Sequence, residues 1–135
     1  MSKSIPTIQR YMTTIPLSVG PYDTLARAGA VMRDNDIRHL PVVDEERLVG
    51  IITERDLALA ANLSGVDPTR EIVRAAMNER VFTVAPDSPL DQVAGEMAAG
   101  KFGSAIVVQN HRVVGVVTTV DICRALAELL RSRLG

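Results

Sequence analysis

The chain has 135 residues, of which 47% are apolar, and its 15 basic and 16 acidic side chains give a net charge of −1. This length suits one compact domain or two small repeats that share a core, and no apolar run approaches the roughly 20 residues that span a bilayer. Balanced charge, with no Trp, two Phe and two Tyr, argues against a dedicated nucleic-acid binder, which is normally basic and often carries an aromatic stacking platform.

The first half of the chain alternates short apolar segments with turn and capping residues. Asp23 is the expected N-cap of its main helix, whose apolar stripe runs from Leu25 to Met32. Pro41 places the next strand at a sheet edge or beside a bulge. In chain order we predict a lead-in helix over 5–12, a strand over 15–19, a helix over 24–35, a hairpin of strands 40–43 and 48–52, and a closing helix over 54–63.

The second half repeats this order without a gap, after the linker-like stretch Val66-Asp67-Pro68. Ser88 is the expected N-cap of its main helix, with Pro89 at the first helical position and Gly100 at the end. We predict a lead-in helix from the cap Thr69 to about 77, a strand over 81–84, a helix to 100, a hairpin of strands 105–108 and 113–117, and a last helix from 119 to 130 or beyond.

The segment Gly50–Leu57 returns as Gly115–Ile122, 65 residues later. Each copy has an apolar strand after a glycine, then a Thr, then an Asp three residues on. Thr-x-x-Asp is typical of a helix start, and this capping role alone needs no ligand. The ungapped similarity indicates two tandem β-α-β-β-α repeats, over 5–65 and 66–135, in an α/β (α+β) fold. Each repeat is too small to cover its own sheet, so we expect the two to pack with pseudo-two-fold symmetry.

These motifs identify a family. The chain resembles a tandem pair of cystathionine-β-synthase (CBS) domains, a Bateman module, from about Ile8 to Leu130. The resemblance is carried by residues 37–44, which read Ile-Arg-His-Leu-Pro-Val-Val-Asp, and by the two Gly-x-x-Thr-x-x-Asp segments. It implies adenosine ligands (AMP, ADP, ATP or S-adenosylmethionine) in two clefts, each with its acid from one repeat and its base-contacting backbone from the other. No cofactor is expected to be obligatory, and no metal site is assigned.

The resemblance also implies which residues line the two sites. The site with the acid of the second repeat would comprise Thr118, Asp121, Ile15, Pro16, Leu17, Ile37, Arg38, His39 and Leu40. The site with the acid of the first repeat would comprise Thr53, Arg55, Asp56, Arg80, Val81, Phe82, Phe102, Gly103 and Ser104.

The chemistry of these residue types suits a nucleotide. An ionised Asp accepts hydrogen bonds from a ribose diol, and a Thr hydroxyl with the N–H groups of a helix start suits phosphate. The two sites differ in their cations, because Arg38-His39 aligns with Gly103-Ser104 and Arg55 aligns with Val120. We therefore expect unequal affinities or different preferred ligands.

No set of catalytic residues emerges, so we predict a protein that is not an enzyme. Cys123 is expected in the core with Leu126 and Leu130, and the two histidines, His39 and His111, form no metal-ligand pattern with it. The leading hypothesis is a stand-alone regulatory module that senses adenosine nucleotides. The alternative is an oligomeric interaction scaffold of the same fold that binds no ligand.

We also expect a cytoplasmic protein without membrane contact, because there is no apolar signal core and a lone cysteine forms no internal disulfide. The expected partners are a small-molecule nucleotide, a regulated protein in another chain and a second copy of this one. The homodimer is expected to use apolar stripes of the first and last helices, represented by Val31, Met32, Leu126, Leu129 and Leu130.

Overall fold

The computed structural model describes residues 4–14 and 17–134 and divides them into two compact units. The first unit is Leu17–Val81, and the second unit joins the described residues of Met1–Pro16 to those of Phe82–Gly135. The units differ from the repeats of the sequence at the start of each repeat. Residues 5–14 belong to the unit that holds most of the second repeat, and residues 66–81 belong to the unit that holds most of the first.

The first unit is built on one helix, a hairpin and a closing helix. Strands β1 and β2 pair antiparallel, with His39 opposite Thr53 and a bulge at Val42/Val43, directly after Pro41. The bulge beside this proline confirms its predicted position. The elements are α1 (Leu25–Asp34), β1 (His39–Asp44), β2 (Arg47–Thr53), α2 (Glu54–Ala61) and a single 3-10 turn at Val73–Ala75.

The second unit repeats this plan with one more strand. Strand β3 pairs parallel with β4, and β4 pairs antiparallel with β5, with a bulge at Val107/Val108. The elements are a 3-10 turn at Ile8–Arg10, β3 (Thr83–Val84), α3 (Leu90–Gly100), β4 (Ser104–Gln109), β5 (Arg112–Thr118) and α4 (Thr119–Leu134). The mixed α+β fold, both hairpins and the four longer helices are therefore as predicted.

Each unit has its own apolar core. Met32 packs in the first core and Met97 in the second, and each is only 4% exposed. The lead-in segments also contribute to these cores, because Ile8 is fully buried in the second unit and Val73, its equivalent 65 residues later, is fully buried in the first. Each core is thus completed by residues from the start of the other repeat.

The glycine of each Gly-x-x-Thr-x-x-Asp segment lies in the second strand of a hairpin, β2 or β5, where that strand pairs with the lead-in segment of the other repeat. Ile51 and Asn78 exchange backbone hydrogen bonds of 2.9 and 2.8 Å, and Thr13 and Val116 exchange bonds of 2.9 and 3.1 Å. A Cβ on Gly50 would lie 2.9 Å from the carbonyl oxygen of Asn78. Close backbone approach, rather than an unusual φ, therefore explains this glycine.

Gly115 occupies the equivalent place in the second unit. A Cβ there would lie 2.9 Å from the carbonyl oxygen of Thr13 and 2.7 Å from Sδ of Met12. Met12 and Thr13 are the repeat equivalents of Met77 and Asn78, so the two units use one device.

The lead-in segments were predicted as helices, and this prediction is wrong in both repeats, where each forms a single 3-10 turn. Their backbone groups are engaged with neighbouring segments instead. Ile8 N–H donates to Ser88, and Leu90 N–H donates to Pro6. Helix propensity over a few residues is too weak to compete with such tertiary pairing.

Two predicted helix caps are one residue early. Thr24, not Asp23, caps α1 by accepting from the N–H of Arg27 at 3.1 Å. Asp23 instead accepts from the N–H of Gly20 at 2.7 Å. Adjacent capping residues compete for the same role, and turn hydrogen bonds decide between them.

Ser88 likewise does not cap α3. Its Oγ accepts from the N–H of Ala85 at 3.1 Å, and Pro89 occupies the N-cap position. Thr69 does not begin a helix either, because its N–H and hydroxyl both donate to Asp67, at 3.0 and 2.7 Å. These bonds lower the pKa of Asp67, the hydroxyl contributing most.

The last helix buries a different stripe from the one predicted. Cys123 is exposed, and Leu126 and Leu130 are 56% and 48% exposed, so their assignment to the core is wrong. The buried positions are Asp121 and Ala125. Because apolar residues occupy well over half of the circumference of α4, periodicity could not identify the part that faces the core of the second unit.

Candidate functional site

In the first unit, Thr53 and Asp56 form the start of α2. The N–H of Asp56 donates to Thr53 Oγ1 at 3.1 Å, and the N–H of Thr53 donates to Asp56 Oδ2 at 2.9 Å. This reciprocal capping box fixes the carboxylate at the positive end of the helix dipole. Asp56 is half-buried, and within the described residues its Oδ1 accepts no hydrogen bond.

The end of the loop before β1 lies beside this helix start. The N–H of Glu54 donates to the carbonyl of Arg38 at 2.9 Å, and Arg38 Nε lies 3.6 Å from Glu54 Oε2. His39 pairs with Thr53 across the hairpin. The structure therefore brings Arg38 and His39 next to Thr53 and Asp56, although the sequence analysis assigned the two pairs to different sites.

The equivalent helix start in the second unit is formed by Thr118 and Asp121. Asp121 is 5% exposed, compared with the half-buried Asp56. Its Oδ2 accepts from the N–H of Thr118 at 2.9 Å and from the Thr118 hydroxyl at 3.2 Å. Its Oδ1 accepts from Nη1 of Arg124 at 3.2 Å.

Gly103 and Ser104 stand where Arg38 and His39 stand in the first unit. The N–H of Thr119 donates to the carbonyl of Gly103 at 3.2 Å, and Ser104 pairs with Thr118. Within the described residues, this helix start therefore has no guanidinium or imidazole at the two equivalent positions, and Arg124 is the cation that contacts its acid.

The other predicted residues differ in exposure. Phe82 and Phe102 stack in the second unit with ring centroids 5.2 Å apart. In the first unit, Leu40 is buried, Leu17, Ile37 and Val81 are half-buried, and Arg55 and Arg80 are exposed. Ile15 and Pro16 lie outside the described residues.

Arg124 is the residue that the sequence analysis missed. It lies three residues after Asp121, where the first repeat has Leu59 three residues after Asp56. A signal was available, because residues three apart are neighbours on a helix and an Arg there can reach the acid.

The fold of the chain agrees with comparisons to known proteins. The family model for the CBS domain matches twice, over residues 8–62 and 70–128. The chain belongs to the CBS domain family. It is a tandem CBS pair, and its two Thr-x-x-Asp helix starts lie within the two matches.

Several known proteins are similar to this CBS pair over most of their length. Hypoxic response protein 1 of Mycobacterium tuberculosis is 32% identical over 82% of this chain and 78% of its own. The crystal structure of the CBS domain pair of protein MJ0100, in complex with 5′-methylthioadenosine and S-adenosyl-L-methionine, matches with a TM-score of 0.83. That pair is 31% identical, over 93% of this chain and 98% of that one.

Enzymes among the similar proteins match over a smaller share of their length. L-aspartate semialdehyde sulfurtransferase of Methanocaldococcus jannaschii is 32% identical over 92% of this chain, which corresponds to 24% of that enzyme. Most of that enzyme's length is thus unmatched by the CBS pair.

Two features are absent from the part of the chain that the structure describes. Across 4–14 and 17–134, no three His, Cys, Asp or Glu side chains are grouped so that they could hold a metal ion. Among those same residues, no helix has both the length and the apolar character needed to cross a membrane.

Proposed function

We propose that this CBS pair is a regulatory module that binds an adenosine nucleotide or S-adenosylmethionine through its two Thr-x-x-Asp helix starts. The observation that carries the proposal is the Asp56 carboxylate, which the capping box holds at a helix N-terminus with Oδ1 accepting no bond from the described residues. An ionised carboxylate in that position suits the two hydroxyl donors of a ribose.

The similarity to the MJ0100 pair supports the choice of ligand class. That CBS domain pair was crystallised with two adenosine compounds, and the present chain covers nearly all of the crystallised pair. In our proposal the ribose contacts Asp56 or Asp121, and phosphate or another anionic group lies near the helix N–H groups. Arg38, His39 and Arg55 would supply positive charge. The hydroxyls of Thr53 and Thr118 would contact the phosphate, and the remaining residues of the two predicted sets would lie around the base.

Ligand binding can act as a signal only if the ligand binds one state of the module more tightly than another. We propose that occupancy changes the conformation or assembly of the pair and is read by a second protein. Catalysis has no role in this proposal, since the helix starts offer an acid and a hydroxyl but no nucleophile paired with a base.

The test is isothermal titration calorimetry of AMP, ADP, ATP and S-adenosylmethionine, with GMP as the control ligand. We expect binding of at least one adenosine compound, and loss of one site in each of Asp56→Asn and Asp121→Asn. Asparagine keeps an oxygen for the helix cap but puts an N–H₂ group in competition with the ribose donors. Thr24→Ala, which removes a helix cap outside the predicted sets, controls for lost stability and should bind normally.

The second candidate is an oligomeric scaffold that binds no ligand. It is favoured by one observation, the exposed apolar face of α4, which comprises Val120, Cys123, Leu126 and Leu130. We propose that a homodimer forms through this face, whether or not a ligand binds. Of the other side chains expected at the dimer contact, Met32 belongs to the core of the first unit and Leu129 packs against the core of the second. Failure of every adenosine compound to bind would leave the scaffold as the better hypothesis.

A further inference from the structure

The two helix starts differ in how many acceptor positions their acids have left. An ionised carboxylate offers about four, two on each oxygen. Asp56 uses one of them, for the N–H of Thr53. Asp121 uses three, for the N–H and hydroxyl of Thr118 and for Arg124. With respect to the described residues, Asp56 can therefore accept both hydroxyls of a ribose, and Asp121 can accept one.

The contact with Arg124 is the reason that Oδ1 of Asp121 is partly occupied, whereas Oδ1 of Asp56 accepts no hydrogen bond from the described residues. Thr118 engages only Oδ2, so without Arg124 the other oxygen of Asp121 would have both of its positions available. The side chain of Asp121 is 6% exposed, whereas that of Arg124 is 66% exposed. A nearly buried carboxylate depends on its partners for compensation, and here the guanidinium supplies charge.

The exposure of Arg124 also limits how firmly it holds the acid. An ion pair with one partner largely in water is weak, and the guanidinium can move into solvent at modest cost. A ligand can therefore displace it with reduced affinity rather than be excluded. Leu59, at the equivalent position of the first repeat, is 58% exposed and offers no hydrogen-bond donor to Asp56.

We infer that Arg124 is a specificity-determining residue of this CBS pair, and this inference rests on the proposed function. By occupying Oδ1 of Asp121, it weakens that site for a 2′,3′-diol and makes the site tolerant of 2′-deoxynucleotides. The Asp56 site, without such a partner, selects ribonucleotides. The two sites thus differ through the acid's partners as well as through the cations around the phosphate.

The experiment is calorimetry with AMP and 2′-deoxy-AMP on five proteins. Four of them are the wild type, Arg124→Leu, the reciprocal Leu59→Arg, and Arg131→Leu as a control that removes the same charge from the exposed last turns of α4. The fifth combines Asp56→Asn with Arg124→Leu and isolates the second site. Both substitutions at 59 and 124 change exposed side chains, so folding should be preserved.

We expect Arg124→Leu to strengthen AMP binding at the Asp121 site by several-fold to about tenfold, and to increase the preference for AMP over 2′-deoxy-AMP there. Leu59→Arg should weaken the Asp56 site, and Arg131→Leu should change neither. Unchanged or weaker AMP binding in Arg124→Leu, beside a wild type that binds, would overturn this inference alone. Absence of adenosine binding in all five proteins would overturn it together with the proposed function.

Discussion

At the scale of single residues, the C-terminus of α3 has a lysine, rather than a glycine, in the left-handed backbone conformation. Lys101 adopts the left-handed conformation that ends the helix, with φ 55°. The preceding Gly100, which the sequence suggested for the end of the helix, is its last helical residue. A Cβ on Gly100 would lie 2.7 Å from Cδ2 of Phe102, which stacks on Phe82. The glycine therefore makes room for an aromatic ring, and a lysine takes the conformation that glycine prefers.

This arrangement predicts that Lys101→Gly stabilises the protein. A non-glycine residue in the left-handed region costs about 1 kcal/mol, so the free energy of unfolding should rise by up to about 1 kcal/mol. Urea denaturation followed by circular dichroism measures the change. Gly100→Ala is the matched comparison and should destabilise, because the new methyl group meets the Phe102 ring. A less stable Lys101→Gly protein would show that the lysine side chain contributes more than its backbone strain costs.

At the scale of elements, the two lead-in segments show how tertiary contacts override local helix preference. Each has little regular structure, yet each buries an apolar side chain and exchanges two backbone hydrogen bonds with a returning strand. Sequence patterns describe these segments poorly, because their conformation depends on strands far along the chain. Residue 13 pairs with residue 116, so no local window contains both partners.

Substitution of the strand glycines should therefore loosen the lead-in segments. We expect Gly50→Ala and Gly115→Ala each to destabilise by about 1–3 kcal/mol, as overpacking of a filled contact does. Amide hydrogen exchange should increase at Asn78 in the first variant and at Thr13 in the second, since these residues donate to the strands. Gly95→Ala is the control, because a Cβ there has no neighbour within 4 Å. Unchanged exchange in both variants would contradict this account of the glycines.

At the scale of the whole molecule, the surface of α4 bears on assembly. Its exposed apolar residues, half or more accessible at Val120 and Leu126, form a face that the second unit's core does not use. Such a face on a protein of this size is typical of a contact between chains. The spacing of Cys123, Leu126 and Leu130 suggests a core stripe, yet all three belong to the proposed dimer surface, since apolar periodicity does not distinguish a core from an interface.

We predict that Leu126→Lys combined with Leu130→Lys gives a monomer that is folded and keeps its ligand affinity. The charges would face the second copy across the proposed contact, where burying them costs more than the contact gains. Analytical ultracentrifugation at several concentrations measures the change. Ile5→Lys, another exposed apolar position, should leave the mass unchanged. A wild type that is monomeric at all concentrations would end the dimer hypothesis.

The sequence by itself determined the repeat, the hairpins, the main helices and the Thr-x-x-Asp helix starts. These depend on contacts between residues a few positions apart, and the 65-residue offset showed them twice. Only the tertiary structure decided which unit each lead-in segment joins, which face of α4 is buried, and that Arg124 occupies Asp121 where Leu59 leaves Asp56 open. Those outcomes depend on packing between distant parts of the chain and on which side of a helix meets a sheet, and local residue patterns carry neither.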